Sequence, residues 1–147
     1  MFSRNVLPLR SKLLNFSLSC PTVCCICGCN FEDQHHLFYM CEYARLVISG
    51  VLDAMQICYP NGVTNWLEWT QSVAGDKTKG LILLMPIKGA LYWIWQQRNS
   101  ARVEEKLLCP STVSARVCKE VSIRLRLVLS RKKCTTVEFW IQKLSIL

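Results

Sequence analysis

The chain has 147 residues, which is enough for one globular domain that folds without depending on disulfides or a metal. Apolar residues make up 51% and charged residues 19%, a balance that excludes an intrinsically disordered chain. Lys and Arg outnumber Asp and Glu by 18 to 10, and the resulting net charge of +8 favours anionic partners.

The N-terminal stretch is basic, with Arg4, Arg10 and Lys12 and no acidic residue before Glu32. Residues 9–16 are predicted to form a basic amphipathic helix with Pro8 in its first turn. An organelle transit peptide is the alternative interpretation of this composition.

The ten cysteines are unevenly distributed. Six of them fall between residues 20 and 41, and the other four are scattered, namely Cys58, Cys109, Cys118 and Cys134. The scattered cysteines stand in apolar, helix-like contexts, where a free thiol packs as a small hydrophobic group. This pattern predicts an intracellular reducing compartment and one local metal site, and it argues against a disulfide scaffold.

The clustered cysteines contain a metal-ligand spacing. Cys24 and Cys27 form a CxxC pair, in which two thiolates turn back onto one metal, and Gly28 supplies the positive φ of such a turn. His36 and Cys41 follow with four residues between them, a spacing used by structural zinc modules. An ideal α-helix would point these two side chains about 140° apart, so we expect Cys41 to lie beyond a helix end. We therefore expect Zn²⁺ to be bound by Cys24, Cys27, His36 and Cys41.

Two alternatives to this ligand set stay open. Cys25 and Cys29 could share or exchange ligation, and His35 could replace His36. A redox dithiol is the rival function for CxxC, but thioredoxin-like motifs lie at strand-to-helix junctions and no strand is predicted here.

The residues around the second ligand pair predict how that pair is positioned. Asp33 is expected to cap the helical turn that carries His36. Leu37 and Phe38 are expected to pack this turn onto the helix that follows.

Helical periodicity dominates the rest of the chain. Residues 44–58 place apolar side chains at intervals of three and four, namely Leu46, Val47, Val51, Leu52 and Met55. Pro60 to Gly62 end this helix, and Thr64 or Asn65 caps a second one that carries Trp66 and Trp69.

Two longer helices complete the prediction. Residues 77–102 are expected to form an apolar, buried helix that is kinked at Pro86 and is not a membrane span. Residues 110–130 are expected to form another helix, capped by Ser111, with one apolar stripe composed of Val113, Val117, Val121, Leu125 and Val128. The expected fold class is mainly α, with a small Cys3His zinc knuckle followed by a bundle of three to four helices. The expected regions are 1–42 for the basic helix and knuckle, 43–133 for the Trp-rich and basic helices, and 134–147 for a tail.

Several stretches carry a family resemblance, namely LPLRSKLLNFSLSCPTVCCICG, HHLFYMC, EYARLVISGVL, WLEW and IWQQRNS. Together they resemble the reverse transcriptase zinc-binding domain found near the C-terminus of plant LINE-type retroelements and their derived genes. The resemblance covers Leu7 to about Ser100 and implies a fragment that begins inside the family's N-terminal helix. On the CxxCG and HLFxxC motifs, the family's metal ligands correspond to Cys24, Cys27, His36 and Cys41. Ile48 stands where the family usually has a tryptophan.

The residue inventory argues against an enzyme. The three aspartates, Asp33, Asp53 and Asp76, are too far apart in sequence to suggest a carboxylate cluster for two metal ions. Neither a Walker loop nor a GxSxG motif occurs, and both histidines lie in the predicted knuckle. With four protein ligands the zinc has no open coordination position, so we expect a structural site and no small-molecule substrate.

Resemblance and charge together predict a nucleic-acid-binding module of a retroelement-derived reverse transcriptase, with RNA or DNA as partner and a nuclear location favoured. The remainder of a reverse transcriptase is a further expected partner. Three thiolates and Zn²⁺ leave a charge of about −1, so phosphate contacts must come from basic side chains elsewhere. The predicted contacts are Arg10, Lys12, Arg98, Arg102, Arg116, Lys119, Arg124, Arg126, Arg131, Lys132 and Lys133.

The tryptophans offer two roles. Base stacking is possible for Trp66, Trp69, Trp93 and Trp95, but their apolar neighbours favour packing in the core. The alternative functions are a zinc-stabilised helical protein-interaction module with an apolar groove and a non-functional retroelement remnant.

Overall fold

The computed structural model describes Leu9, residues 22–55 and residues 77–129, including all side chains except those of residues 77–83 and 128–129. This part of the chain is mainly helical. A π-helical turn, His36–Met40, precedes three α-helices, which we number α1 (Glu42–Ala54), α2 (Lys77–Val103) and α3 (Pro110–Leu129). The predicted class, a Cys3His cluster ahead of a helical bundle, is confirmed. The predicted helices over residues 9–16 and after Thr64 lie outside the described residues, apart from Leu9, which is buried.

Helix α1 begins at Glu42, directly after Cys41, and its apolar face is buried. Val47, Val51 and Leu52 of the predicted stripe are fully buried, whereas Leu46 is 50% exposed because it lies off this face. The predicted continuation over residues 56–58 lies outside the described residues.

Helix α2 runs without interruption through Pro86. Proline has no N–H, so the carbonyl of residue 82 receives no helical hydrogen bond there, and the kink itself stays a prediction. Ile87, Leu91 and Ile94 form its buried stripe. None of the helices in the described part of the chain is long and apolar enough to cross a bilayer.

Helix α3 begins at Pro110, a residue that suits the first helical position because its missing N–H would have no partner there. Ser111 is therefore inside the first turn, which corrects its prediction as the cap. The stripe is confirmed for the four members whose side chains are described, namely Val113, Val117, Val121 and Leu125. Cys118 is buried as predicted, but Cys109 is exposed because it lies in the connection before α3.

Helix α1 lies against both α2 and α3, and its contact with α3 is close at one point. A Cβ atom on Gly50 would come within 2.7 Å of Ser114 Oγ. That hydroxyl lies 3.0 Å from the carbonyl oxygen of Val47 and 2.9 Å from that of Pro110. Gly50 is therefore required by the packing of two helices and not by a turn.

The connection between α2 and α3 is fixed by side chains from two helices. The Leu108 N–H donates to Gln97 Oε1 at 2.9 Å, and the Tyr43 hydroxyl donates to the Leu108 carbonyl at 2.8 Å. Burial raises the pKa of Tyr43 to about 12, with smaller contributions from Cys109 and Cys41, so this hydroxyl stays a donor. The core formed in this way includes Leu37, Phe38 and Cys41 as well as residues of all three helices.

Candidate metal centre

The first pair of cysteines lies in a short, hairpin-like segment. Val23 and Phe31 form an isolated antiparallel bridge, and the Glu32 N–H donates to the Thr22 carbonyl at 2.9 Å. The chain between them must therefore reverse direction within a few residues.

The reversal brings Cys24 and Cys27 together. The Cys24 N–H donates to the Asn30 carbonyl at 2.7 Å, and the Gly28 N–H donates to the Cys24 carbonyl at 2.9 Å. Gly28 has a φ of 70°, as predicted, a conformation that costs a residue with a Cβ about 1–2 kcal/mol.

A π-helical turn positions the second pair of ligands. The Asp33 carboxylate accepts the His36 N–H at 2.6 Å and caps the turn, as predicted. The Cys41 N–H donates to the His36 carbonyl at 2.7 Å, which is an i→i−5 hydrogen bond. Such a bond stacks residues five apart one turn above each other, as the α-helical bond stacks residues four apart. The 140° separation of an ideal α-helix is thus much reduced, and Cys41 also lies past the end of the turn as expected.

The four predicted ligands converge. The Sγ atoms of Cys24, Cys27 and Cys41 and a ring nitrogen of His36 all lie within 4.8 Å of one another. The Cys27 Sγ and His36 Nε2 atoms are 3.3 Å apart. Tetrahedral zinc with bonds of about 2.3 Å to sulfur requires sulfur atoms roughly 3.8 Å apart, so the cluster fits the ion with a small contraction. Three sulfurs and one imidazole are also a donor set typical of structural zinc.

A hydrogen bond between two of the sulfurs favours the thiolate form of Cys24. The Cys41 thiol hydrogen-bonds to Cys24 and lowers the pKa of Cys24 to about 5, against the opposing effect of burial. Backbone N–H groups of Cys27 and Ile26 contribute to this lowered pKa. The pKa of Cys41 is raised, first by this hydrogen bond and then by burial, while the backbone N–H of Ala44 at the start of α1 acts in the opposite direction.

The alternative ligands point elsewhere. Cys25 Sγ lies 3.4 Å from Glu32 Oε2, and Cys29 is exposed with its thiol 3.1 Å from the Cys27 carbonyl oxygen. The His35 ring stacks on Tyr39, with ring centroids 5.5 Å apart. The structure therefore brings together the ligand set predicted from the spacing, and not the alternative side chains.

A buried ion pair joins the knuckle to α2. The Arg98 guanidinium donates through Nε to Glu32 Oε1 at 3.1 Å and through Nη2 to the same oxygen. Glu32 is 0% and Arg98 is 1% exposed. The guanidinium also lies 5.2 Å from the centroid of the Trp95 ring and bonds to Asn99. Arg98 is therefore not available to a phosphate, which corrects its prediction as a nucleic-acid contact.

A sequence signal for this pair existed. Arg98 continues the spacing of Ile87, Leu91 and Ile94 and so lies in phase with the buried stripe of α2. An arginine at such a position must find an acid inside the protein, and Glu32 lies within the cysteine cluster.

The remaining predicted phosphate contacts fall into two groups. Five are exposed on α2 and α3, namely Arg102, Arg116, Lys119, Arg124 and Arg126. The others lie outside the described residues, namely Arg10, Lys12, Arg131, Lys132 and Lys133.

The two tryptophans of α2 belong to the core periphery. Trp93 and Trp95 are half-buried against the core, as their apolar neighbours indicated. Trp93 Nε1 donates to Glu120 Oε2 at 3.2 Å, and the Arg116 guanidinium lies 5.5 Å from the Trp93 ring centroid. Trp66 and Trp69 lie outside the described residues.

Comparison with protein-family models, with curated proteins and with solved structures finds no match to this chain. The site's chemistry therefore rests on its own geometry.

Proposed function

We propose that the chain is a structural zinc-binding module that binds nucleic acid. The observation that carries the zinc assignment is the convergence of three sulfurs and one imidazole nitrogen within 4.8 Å. The ligands come from two separate segments, so the ion would tie the hairpin of Cys24 and Cys27 to the start of α1. The CxxCG and HLFxxC motifs support placing this module in a retroelement-derived reverse transcriptase.

A structural role follows from the coordination number. Four protein ligands complete a tetrahedral zinc site and leave no position for a water or a substrate. Cys24 and Cys41 are 1% and 0% exposed, which also keeps solvent from the centre. The proposed module has no catalytic activity of its own.

Nucleic-acid binding is supported by where the exposed charge lies. Helix α3 carries four basic residues and one acid, and all four bases are exposed, namely Arg116, Lys119, Arg124 and Arg126. The acid, Glu120, is engaged by the Trp93 indole. A solvent-exposed surface with this excess of positive charge attracts phosphates.

Metal analysis of the purified chain tests the zinc assignment. We expect one zinc per chain and, after cobalt substitution, thiolate charge-transfer and tetrahedral d–d absorption bands. Substoichiometric metal after reconstitution under reducing conditions, or an octahedral cobalt spectrum, would contradict the assignment.

Salt dependence tests the second half of the proposal. If several phosphates are neutralised, the logarithm of the affinity for DNA or RNA falls linearly with the logarithm of salt concentration. The expected slope is about −0.7 to −0.9 per phosphate contact. Absence of binding at low salt would remove nucleic acid as the partner.

One observation favours a second candidate, a protein-interaction module. A groove of about 510 Å³ lies between α1 and the first half of α3 and is lined largely by small or apolar side chains. Gly50, Ala54, Ser111 and Ala115 leave room there for a helix of another protein. Substituting Ala115 with Trp would fill the groove, and loss of a bound partner with nucleic-acid affinity unchanged would support this alternative.

A further inference from the structure

Helix α3 has two faces of different chemistry. Val113, Val117, Val121 and Leu125 face the core. Between residues 116 and 127, the opposite face, within an arc of about 100° at 3.6 residues per turn, carries a set that we call the outer face. Its members are Arg116, Lys119, Ile123, Arg126 and Leu127, all of them exposed.

The outer face combines three basic side chains with two apolar ones. Ile123 is 49% and Leu127 is 65% exposed, and basic residues stand on either side of Ile123. Arg116 lies against the Trp93 ring, which limits its motion and holds its guanidinium at the edge of the face. Glu120, at the border of this face and one helical turn from Arg116, accepts a hydrogen bond from the Trp93 indole, so the five described charges of α3 still sum to +3.

The shape of the face selects among nucleic acids. Single strands are bound in grooves where several aromatic rings stack on bases, whereas Trp93 and Trp95 are packed against the core. In the described part of α2, Tyr92 offers an exposed ring, but one ring does not make a stacking track. The outer face is instead a convex helix surface about 15 Å long between Arg116 and Arg126.

A convex helix of this kind matches one groove. The major groove of B-form DNA is about 12 Å wide and admits an α-helix, with phosphates on both sides and thymine methyl groups on its floor. The major groove of A-form RNA is too narrow for side chains to read. Exposed apolar side chains between basic ones are suited to such a floor.

We propose that α3 inserts its outer face into the major groove of duplex DNA. Arg116, Lys119 and Arg126 contact phosphates on the two sides of the groove, while Ile123 and Leu127 face the base edges. This inference rests on the proposed nucleic-acid binding and specifies the class of ligand and the surface that binds it.

Binding of the zinc-loaded full chain to three fluorescent probes tests the inference. The probes are a DNA duplex, an RNA duplex of the same sequence and a single DNA strand with the same number of phosphates. Fluorescence anisotropy is expected to show at least about tenfold tighter binding to the DNA duplex. Stronger binding to the single strand or to the RNA duplex would overturn the inference and leave nucleic-acid binding intact, whereas no binding to any probe at low salt would overturn both.

Variants then test the surface. Replacing Arg116 and Lys119 together with Gln is expected to reduce the salt slope for the DNA duplex by about two. Lys88→Gln is the matched control, because Lys88 is an exposed base on α2 outside the outer face, and it should leave the slope unchanged. Unchanged far-UV circular dichroism and an unchanged urea unfolding midpoint show that each variant is folded, and an unchanged slope in the double variant would overturn the assignment of α3.

Discussion

Glu32 and Arg98 are 66 positions apart in the chain, yet their side chains form an ion pair from which solvent is excluded. Glu32 follows the hairpin that carries the first two ligands, and Arg98 lies in the second half of α2. The metal centre and the helical bundle are therefore joined by a charged contact as well as by apolar packing.

Removing one member of this pair is expected to destabilise the protein strongly. Glu32→Gln or Arg98→Met leaves the other charge buried without its partner, which costs about 3–5 kcal/mol of unfolding free energy. Urea unfolding of the zinc-loaded protein measures this change. Replacing Glu32 with Leu and Arg98 with Met together should recover much of the loss, because no uncompensated charge remains.

A second ion pair provides the control. Arg45 and Glu42 are 3.4 Å apart on the exposed side of α1. Glu42→Gln should cost less than about 1 kcal/mol, because exposed pairs are screened by water. If Arg98→Met were no more costly than Glu42→Gln, the buried pair would have no special role.

Loss of a ligand is expected to abolish tight zinc binding. Cys24→Ser or Cys41→Ser removes a thiolate from the cluster and should lower zinc affinity by more than the roughly 10–100-fold typical for loss of an outer hydrogen-bond partner. Competition with a coloured chelator measures the affinity. Cys29→Ser is the matched control, since its thiol is exposed and outside the cluster. Retention of full affinity in Cys41→Ser would refute the ligand set.

Zinc affinity is expected to fall with falling pH, because protons and metal compete for the same sulfurs. The pKa of Cys41 is raised, so its proton opposes zinc in the neutral range, whereas the pKa of Cys24 is lowered to about 5. Cys24 therefore adds its proton to the competition only near that pH. Chelator competition between about pH 8 and pH 4 measures the logarithm of the zinc affinity against pH. The slope of this plot should become steeper by about one logarithmic unit per pH unit at the acidic end. A decline that flattens there would contradict this assignment.

Gly28→Ala is expected to cost about 1–2 kcal/mol through the backbone alone. No atom lies within 4 Å of the Cβ that the substitution adds, and the strain comes from a φ of 70°. Gly28→Asn should cost less, because asparagine tolerates this conformation better. Unfolding free energies of the two variants make the comparison, and equal stability of the alanine variant and the natural chain would contradict the turn geometry.

Gly50→Ala is expected to destabilise the protein by about 1 kcal/mol although alanine is the better helix former. The new methyl group would meet Ser114, whose hydroxyl would have to rotate away from the Val47 and Pro110 carbonyls. Gly89→Ala is the useful contrast, since its nearest neighbour is a valine methyl at 3.3 Å. In thermal unfolding, Gly50→Ala should have a lower melting temperature than Gly89→Ala. The opposite order would contradict the close contact of α1 and α3.

Local chemistry made much of the architecture predictable. The extent of α3 followed from its apolar periodicity and that of α2 from its high apolar content. The four ligands followed from spacing, since thiolates and imidazole are the groups that zinc prefers. The prediction of Ser111 as a cap was wrong because Pro110 occupies the first helical position. The prediction that Cys109 packs as an apolar group was wrong because its connection lies at the surface.

Other features depended on contacts distant in sequence. The spacing of His36 and Cys41 shows that an α-helix would direct the two side chains apart. It does not predict a π turn, because that conformation is rare and is stabilised here by contacts of the ligands and the core. Local composition groups Arg98 with the surface bases, because it does not show which base meets Glu32. Its position in the buried stripe was the signal, but its partner was 66 residues away.

Because Glu32 pairs with Arg98, the segment that contains all the metal ligands is shorter than the segment that folds. A peptide cut after α1 would keep every metal donor but would leave the Glu32 carboxylate stripped of its counter-ion. A peptide of that length is thus expected to bind the metal through all four ligands but not to unfold cooperatively.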